Sequence, residues 1–506
     1  MPGGWRAPGF RLNSETNVSV GSGSAPQVVP VKTCSRYESS TVARGFVTAS
    51  LCAALTYGCV TGTPVQPPRD VPAAFEHAAT AGGGSWPTQD WYRGFGSEEL
   101  NELVALAVTN NWDLAAARER VAQADARARQ AGAALLPGVS GNANANYLAG
   151  STSKPPGQMG SGHELDWFAM LSASYEVDFW GRNRATARAA RLSASASRGE
   201  RDTVALTLLG GVADQYFQVL ALRERIAIAR ANSEAVSKIL AAVQARFDAG
   251  VANPVDLASQ KAAFAATRIV VSDLQQSEVE ARAALALLLG RAPENFDVAG
   301  KSLDPLKEPT VAPGLPAELL TRRPDIAAAE ANLQAANANL AAARAAMLPS
   351  LTLTASGGVQ NPVLPGTINT ISGAGPSGAV AANLTQVIFD HGKLRAQRDE
   401  TLARERELLA TYREAVLAAL VDVEKALSAL EHLKAVEEFQ RVNVNESERA
   451  FEGARVRYER GSGDFLTLLE LQRTLYAARD QFTQYKLARL HSLVALCKAL
   501  GGGWSG

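Results

Sequence analysis

The chain has 506 residues, a formal net charge of zero, 46% hydrophobic and 20% charged residues, and only 6% aromatics, with 42 Gly, 5 His and 4 Cys. The length could bury several domains, but the even charge leaves no chain-wide basic field for a nucleic-acid backbone. The histidines, at 77, 163, 391, 432 and 491, are scattered, and no zinc, phosphate-loop or nucleophile-elbow pattern accompanies them, so no enzyme activity, cofactor or metal is expected.

Residues 1–43 are rich in Gly, Ser, Pro, Val and Thr without a period, as in a leader. Arg44 precedes 13 uncharged, mostly apolar residues ending at Tyr57, then Gly58-Cys59. That run suits a signal-peptide core and is too short to span a bilayer as a helix. Small Gly58 before Cys59 suits a lipoprotein signal in which Cys59 becomes the acylated first residue; Cys52, after Leu51, fits a cleavage position less well. Cleavage there removes Cys34 and Cys52, so no disulfide framework is expected. The expected organisation is a leader and signal over 1–58, an anchor and extended segment over 59–96, one unit over 97–300, a linker over 301–317 and a second unit over 318–504.

The two units are copies. Residues 111–137 align with 323–349 at an offset of 212, with 11 of 27 positions identical, including Asp113/Asp325 and the Leu-Pro pairs 136–137 and 348–349. Trp180-Gly181-Arg182 pairs with His391-Gly392-Lys393, and Arg246-Phe247-Asp248-Ala249-Gly250 with Arg457-Tyr458-Glu459-Arg460-Gly461. Each copy predicts a helix (97–136, 318–348) stopped at its Leu-Pro pair. Two alternating segments follow, then a helix of nearly seventy residues (182–249, 393–460), roughly 100 Å long, ending at glycine. A return helix ends at Leu289-Gly290 or Leu500-Gly501. Val416, Leu420, Val423, Leu427 and Leu430 form a heptad seam, echoed by Leu206, Leu209, Ala213, Tyr216 and Leu220. No segment beyond the leader reads as a transmembrane helix.

The alternating segments, placed in hairpins over 138–180 and 350–390, carry the functional argument. Odd positions Val139 to Tyr147 are small or apolar, whereas even ones are Ser140, Asn142, Asn144 and Asn146. Trp167, Ala169, Leu171, Ala173, Tyr175, Val177 and Phe179 oppose Ser172, Ser174, Glu176 and Asp178; Leu351, Leu353 and Ala355 oppose Thr352, Thr354 and Ser356; 377–389 alternates more weakly. Strands of about ten residues, apolar on one face and polar on the other, suit an outer-membrane barrel with Asn142, Asn144, Asn146, Glu176 and Asp178 lining a wet lumen. A half-exposed soluble sheet has the same period. Export, the anchor and the lack of a covering segment favour the barrel, and four strands could close one only by oligomerising.

Four stretches carry a resemblance: Trp91-Tyr92-Arg93-Gly94-Phe95, Leu287-Leu288-Leu289-Gly290-Arg291-Ala292-Pro293, Leu315-Pro316-Ala317-Glu318-Leu319-Leu320-Thr321-Arg322-Arg323-Pro324-Asp325-Ile326, and Lys498-Ala499-Leu500-Gly501-Gly502-Gly503-Trp504. With them, residues 59–504 closely resemble the outer membrane factor family of TolC-like exit ducts, in its OprM/NodT-like lipoprotein branch. The resemblance implies a mainly α fold with membrane β: a homotrimer sharing a 12-stranded barrel, continued by an α-helical tunnel through the periplasm. It implies a passive exit duct recruited by a periplasmic adaptor and driven by an inner-membrane pump of the resistance-nodulation-division type. It also places a periplasmic gate near the helix turns, with Asp256, Tyr458 and Glu470 at matching positions. Thr467 and Gly463 stand where some members carry Asp and Arg, and Arg457, Arg460 and Asp464 could supply substitute pairs. A type I secretion duct shares these features, and a periplasmic coiled-coil adaptor lipoprotein shares the anchor and long helices. Cys497 stands where the family usually has a larger aromatic, and is expected to be a packed helix residue.

Overall fold

The computed structural model describes residues 72–77, 86–153, 159–251, 253–311, 314–360 and 375–504; the leader, Cys34, Cys52 and Cys59 lie outside them. In chain order the elements are α1 (Glu98–Asn110), α2 (Trp112–Ala133), β1 (Gly138–Ser153), β2 (Met159–Val177), α3 (Arg182–Asp248), α4 (Pro254–Leu288), α5 (Leu319–Arg322), α6 (Pro324–Ala345), β3 (Ser350–Gln360), β4 (Gly375–Thr385), α7 (Lys393–Glu459) and α8 (Phe465–Ala499). Helix–strands–long helix–return helix thus occurs twice. The long helices have 67 residues each and the return helices 35 each.

The predicted single helices over 97–136 and 318–348 are each broken. Asn111 and Arg323 both have extended backbones, with ψ of 128° and 123°. Arg323 precedes a proline, which disfavours helical backbone there, and Asn111 turns its side chain to cap α2 by accepting from Leu114 N at 2.9 Å. Each break is a joint. Asn111 Nδ2 donates to Leu288 O (2.9 Å), and Arg323 Nη1 donates to the duplicate carbonyl, Ala499 O (3.0 Å). The return helices thereby lock onto their own repeat's first helix.

α3 packs against α1, α2, α4, α6 and α8, and α7 against α6 and α8. The main core gathers Phe95, Leu100, Val212, Tyr216, Phe217, Leu220, Leu285, Leu289, Val423, Leu427, Val494 and Cys497. Of the heptad seams, Ala213, Tyr216, Leu220, Val416, Val423 and Leu427 are buried. One 18-residue window of α3 reaches a mean hydropathy of 1.3, enough to cross a membrane by length and composition, which corrects the sequence expectation; half of it is buried in the protein, consistent with a core helix. The segment joining the repeats is strapped to the first of them. Glu99 accepts from Gly300 N (3.0 Å) and Tyr216 Oη (3.0 Å), while Arg223 donates to Gly300 O (2.9 Å) and pairs with Glu278 (3.1 Å). Burial, with Glu99 alongside, raises the Tyr216 hydroxyl to about 12, so it stays a neutral donor.

Cys497 lies in this core, and burial pushes its thiol up to about 12. A thiolate is the reactive form, so at pH 8 Cys497 should resist an aromatic disulfide reagent in the native protein and react once guanidinium unfolds it. Labelling of native protein at the unfolded rate would contradict that burial.

Candidate functional site: a two-faced sheet and a helical tip

The strands form one antiparallel meander in the order β1-β2-β3-β4. Residues paired across antiparallel strands share a face, so the register assigns every side chain. One face runs Val139, Gly141, Ala143 and Ala145 on β1; Trp167, Ala169, Leu171, Ala173, Tyr175 and Val177 on β2; Leu351, Leu353, Ala355, Gly357 and Val359 on β3; and Pro376, Gly378, Val380, Ala382 and Leu384 on β4. Among these described side chains the only polar groups are the Tyr175 hydroxyl and the Trp167 indole N–H. Val139, Leu171, Val380 and Leu384 are 71, 64, 87 and 73% exposed, so none of the described residues covers them. In water such a face would be a large unsatisfied apolar patch; against lipid chains it is the expected surface. Weak alternation in β4 reflects its Gly, Ala and Pro content, and pairing with β3 resolves it.

Aromatics mark the ends of this face. Tyr147 and Trp167 stand towards one end and Tyr175 towards the other, with Phe179 just past the end of β2. From Trp167 to Val177 the strand rises about 33 Å, or roughly 25 Å at the tilt usual in barrels, which matches a bilayer's apolar band. The opposite face carries Ser140, Asn142, Asn144, Asn146, Ser172, Ser174, Glu176, Thr352, Thr354, Ser356, Gln360, Ser377, Asn383 and Thr385. Asn142, Asn144 and Asn146 are thus on the polar side and exposed, and Glu176 joins them, paired with Arg182 at 2.6 Å.

Asp178 is different. It lies past the end of β2, where its carboxylate accepts from Asn183 N (3.1 Å) and Arg184 N (2.8 Å) and pairs with Arg184 Nε (3.3 Å). Asp390 does the same for α7, accepting from Gly392 N (2.9 Å) and Leu394 N (2.8 Å), and these amides hold its carboxyl below the usual range. Both acids cap the positive end of a long helix where it leaves the sheet. Asp178 therefore stands just beyond β2 and serves the strand-to-helix junction. Trp180 Nε1 fastens the same junction to Pro349 O at 2.7 Å, in the other repeat.

At the far end of the long helices, the turns after α3 and α7 come together. Val243, Leu257 and Phe465 are buried as one cluster, with Phe247, Tyr458 and Leu469 against it. The Tyr458 ring lies 6.0 Å from Phe465, and the Arg246 guanidinium sits 5.0 Å over Tyr458. Asn253 caps α4 through Val255 N (2.9 Å), with Pro254 in the first turn. Asp464 caps α8, accepting from Thr467 N (2.9 Å) and Thr467 Oγ1 (3.1 Å). Asp256 is half-buried in the first turn of α4, whereas Glu470, Arg457 and Arg460 are exposed. Among the described residues, none of these last four forms an ion pair within the chain, so the suggested substitute pairing of Arg457, Arg460 and Asp464 is not made inside one chain. Asp464 is occupied as a cap because Thr467 provides both an amide and a hydroxyl. Arg246 over Tyr458 was missed in the sequence, where no spacing links residues so far apart.

One group among the described residues could hold a cation: Glu76, His77 and Glu424, with ligand atoms within 4.8 Å of one another. His77 Nδ1 is already engaged by Glu424 Oε1, which raises the imidazole's pKa, and the contact ties the segment at 72–77 to α7.

Comparison with known proteins agrees with this geometry. The outer membrane efflux protein family matches residues 103–291 and 315–502, one match to each repeat. The pyoverdine export outer membrane protein OpmQ of Pseudomonas aeruginosa is 42% identical over 450 residues, 88% of this chain and 94% of its own. A probable outer membrane lipoprotein, SilC of Salmonella typhimurium, is 28% identical over 88% of this chain and 96% of its own. Among solved structures, the outer-membrane channel OprN superposes with a TM-score of 0.80 at 28% identity, covering 88% of this chain and all of that one. These similarities are to outer-membrane channels and efflux components, and they set aside the adaptor reading.

Proposed function

The chain belongs to the outer membrane efflux protein family and acts at the outer membrane in efflux, and from that premise we propose how it is assembled and what it carries. Three copies each contribute four strands, closing a barrel with the apolar face against lipid and the polar face around water. The observation that carries this reading is the sheet itself: among the described residues, an uncovered apolar face backed by a polar one, with an unpaired edge on β1 and another on β4. Pairing copies edge to edge removes the free edges, and the bilayer then covers the apolar face. The helices continue the conduit into the periplasm, where an adaptor and an inner-membrane pump of the resistance-nodulation-division type engage it. Cys59 carries the lipid anchor, a reading supported by the lipoprotein SilC. Similarity to OpmQ supports pyoverdine as the exported substrate.

At the tip, Tyr458 packs beside the turn as part of the closure, and Asp256 and Glu470, repeated around the three-fold axis, supply carboxylates that favour cations. Arg457 and Arg460, which pair with none of the described acids of their own chain, are available to acids of a neighbouring copy. Purified full-length protein should crosslink as a trimer and conduct ions in planar bilayers; a non-conducting monomer would refute the assembly. Asp256→Ala with Glu470→Ala should raise conductance and weaken cation preference, and wild-type values for both would refute the gate assignment. Cells lacking the gene should retain pyoverdine, and undiminished export would remove it as the substrate.

A further inference from the structure

The polar face of the sheet has one interruption. Phe168 and Met170 fall on it by register, Phe168 opposite Asn144 and Gln360, Met170 opposite Asn142 and Gly358. Both are half-buried. Otherwise the described side chains of that face are Asn, Ser, Thr, Gln and small Ala, with Glu176 near the base. Trp167 and Leu171, their neighbours in sequence, point to the opposite, apolar face, so the two large apolar groups on the wet side are not a slip of register. A slip would move every asparagine of β1 to the lipid side at the same time.

Their height is also defined. Phe168 is nine residues from Val177, about 30 Å along the strand and roughly 20–25 Å above its base at the usual tilt, level with the Trp167 and Tyr147 end of the apolar band. Gly358, opposite Met170, contributes no side chain and is packed so closely that a Cβ there would strike the backbone of Ala169 and Met170, so no larger side chain can stand beside the thioether on β3. A flat apolar surface in an otherwise hydrogen-bonding wall offers water nothing and offers an aromatic or aliphatic group a contact that releases water.

We propose that Phe168 and Met170 form an apolar belt inside the outer part of the barrel that binds the aromatic or aliphatic portion of a solute as it leaves. The inference rests on the reading that three copies close a barrel around the polar face; closure would bring three copies of each side chain to one level. The belt gives the duct a specificity determinant of its own, favouring solutes with an apolar part over small hydrophilic ions of the same charge.

The test uses full-length protein in planar bilayers, with naphthalene-2-sulfonate as an aromatic anion and methanesulfonate as its small counterpart. Naphthalene-2-sulfonate should block the wild-type current at lower concentration than methanesulfonate. Phe168→Ser with Met170→Ser should raise its half-blocking concentration about tenfold, while Phe168→Leu with Met170→Leu should leave it near wild type. Equal block of wild type and the serine variant, with channels intact, would overturn the belt alone. Absence of channels from wild type would overturn the barrel reading and the belt with it. Should the serine variant fail to assemble, single cysteines introduced into a Cys497→Ala background of the mature protein, which lacks Cys34 and Cys52 and carries Cys59 acylated, decide the matter. Met170→Cys should react with a membrane-impermeant thiol reagent and Leu171→Cys should not; equal or reversed labelling would overturn the belt.

Discussion

Replacing Gly501 with valine is expected to eliminate folded protein from the outer membrane, a larger loss than any change at the tip. Gly501 follows α8 at φ 85°, in the left-handed region where a β-branched side chain is strongly disfavoured. The helix end is closed by Gly501 N donating to Lys498 O (2.9 Å) and Gly502 N to Cys497 O (2.8 Å). A Cβ at Gly501 would strike the carbonyl oxygen of Arg322, the last residue of α5, which is backbone and cannot rotate away. Gly290, at the same point of the first repeat, would strike Asn110 O in the same manner. Left-handed strain contributes about 1–2 kcal/mol, and forced separation of the joint adds about 1–3 kcal/mol or more. Gly461→Val is the informative comparison. Its φ is 75°, but a Cβ there meets nothing within 4 Å, so only the backbone contribution applies. Immunoblots of outer membranes and thermal melting should show Gly461→Val folded and Gly501→Val absent or strongly destabilised. Equal melting of the two would place the joint's contribution near zero.

The duplication, the long helices and the two-faced strands are legible in the sequence because each rests on a period or an offset, which local residues express directly. The joints are legible only in part. Arg323-Pro324 carries a local signal for a break, and Asn110-Asn111 a weaker one, but nothing local tells that each break binds the end of a helix about 177 residues later. Asp178 followed the strand alternation in sequence, and only the position of the α3 amides shows that capping claims it. At the tip, Asp464 is legible as the cap of α8, three residues before Thr467, whose amide and hydroxyl donate to it, whereas the stacking of Arg246 on Tyr458 depends on two helices from different repeats meeting.

Arg323→Ala is expected to cause the second-largest loss, and the duplicate joint predicts how it can be partly repaired. The guanidinium is 11% exposed and holds Asp325 at 2.7 Å, Asp422 at 3.3 Å and Ala499 O at 3.0 Å, joining α6, α7 and the end of α8. Removing one partner of a buried pair costs about 3–5 kcal/mol, but Asp325 and Asp422 are 34 and 52% exposed, and solvent screening reduces this to about 2–3 kcal/mol. Arg323→Asn installs the residue of the first repeat, where Asn111 bonds the equivalent carbonyl. It should regain about 1 kcal/mol through Ala499 O while leaving both aspartates without their cation. Adding Asp325→Ala to Arg323→Asn should then recover more, because the stranded carboxylate is removed. Denaturant melts of the four proteins should fall in the order wild type, double variant, Arg323→Asn, Arg323→Ala. If Asn melts with Ala, the carbonyl contact contributes nothing and the joint is held by charge alone; if it melts with wild type, the two aspartates do not depend on Arg323.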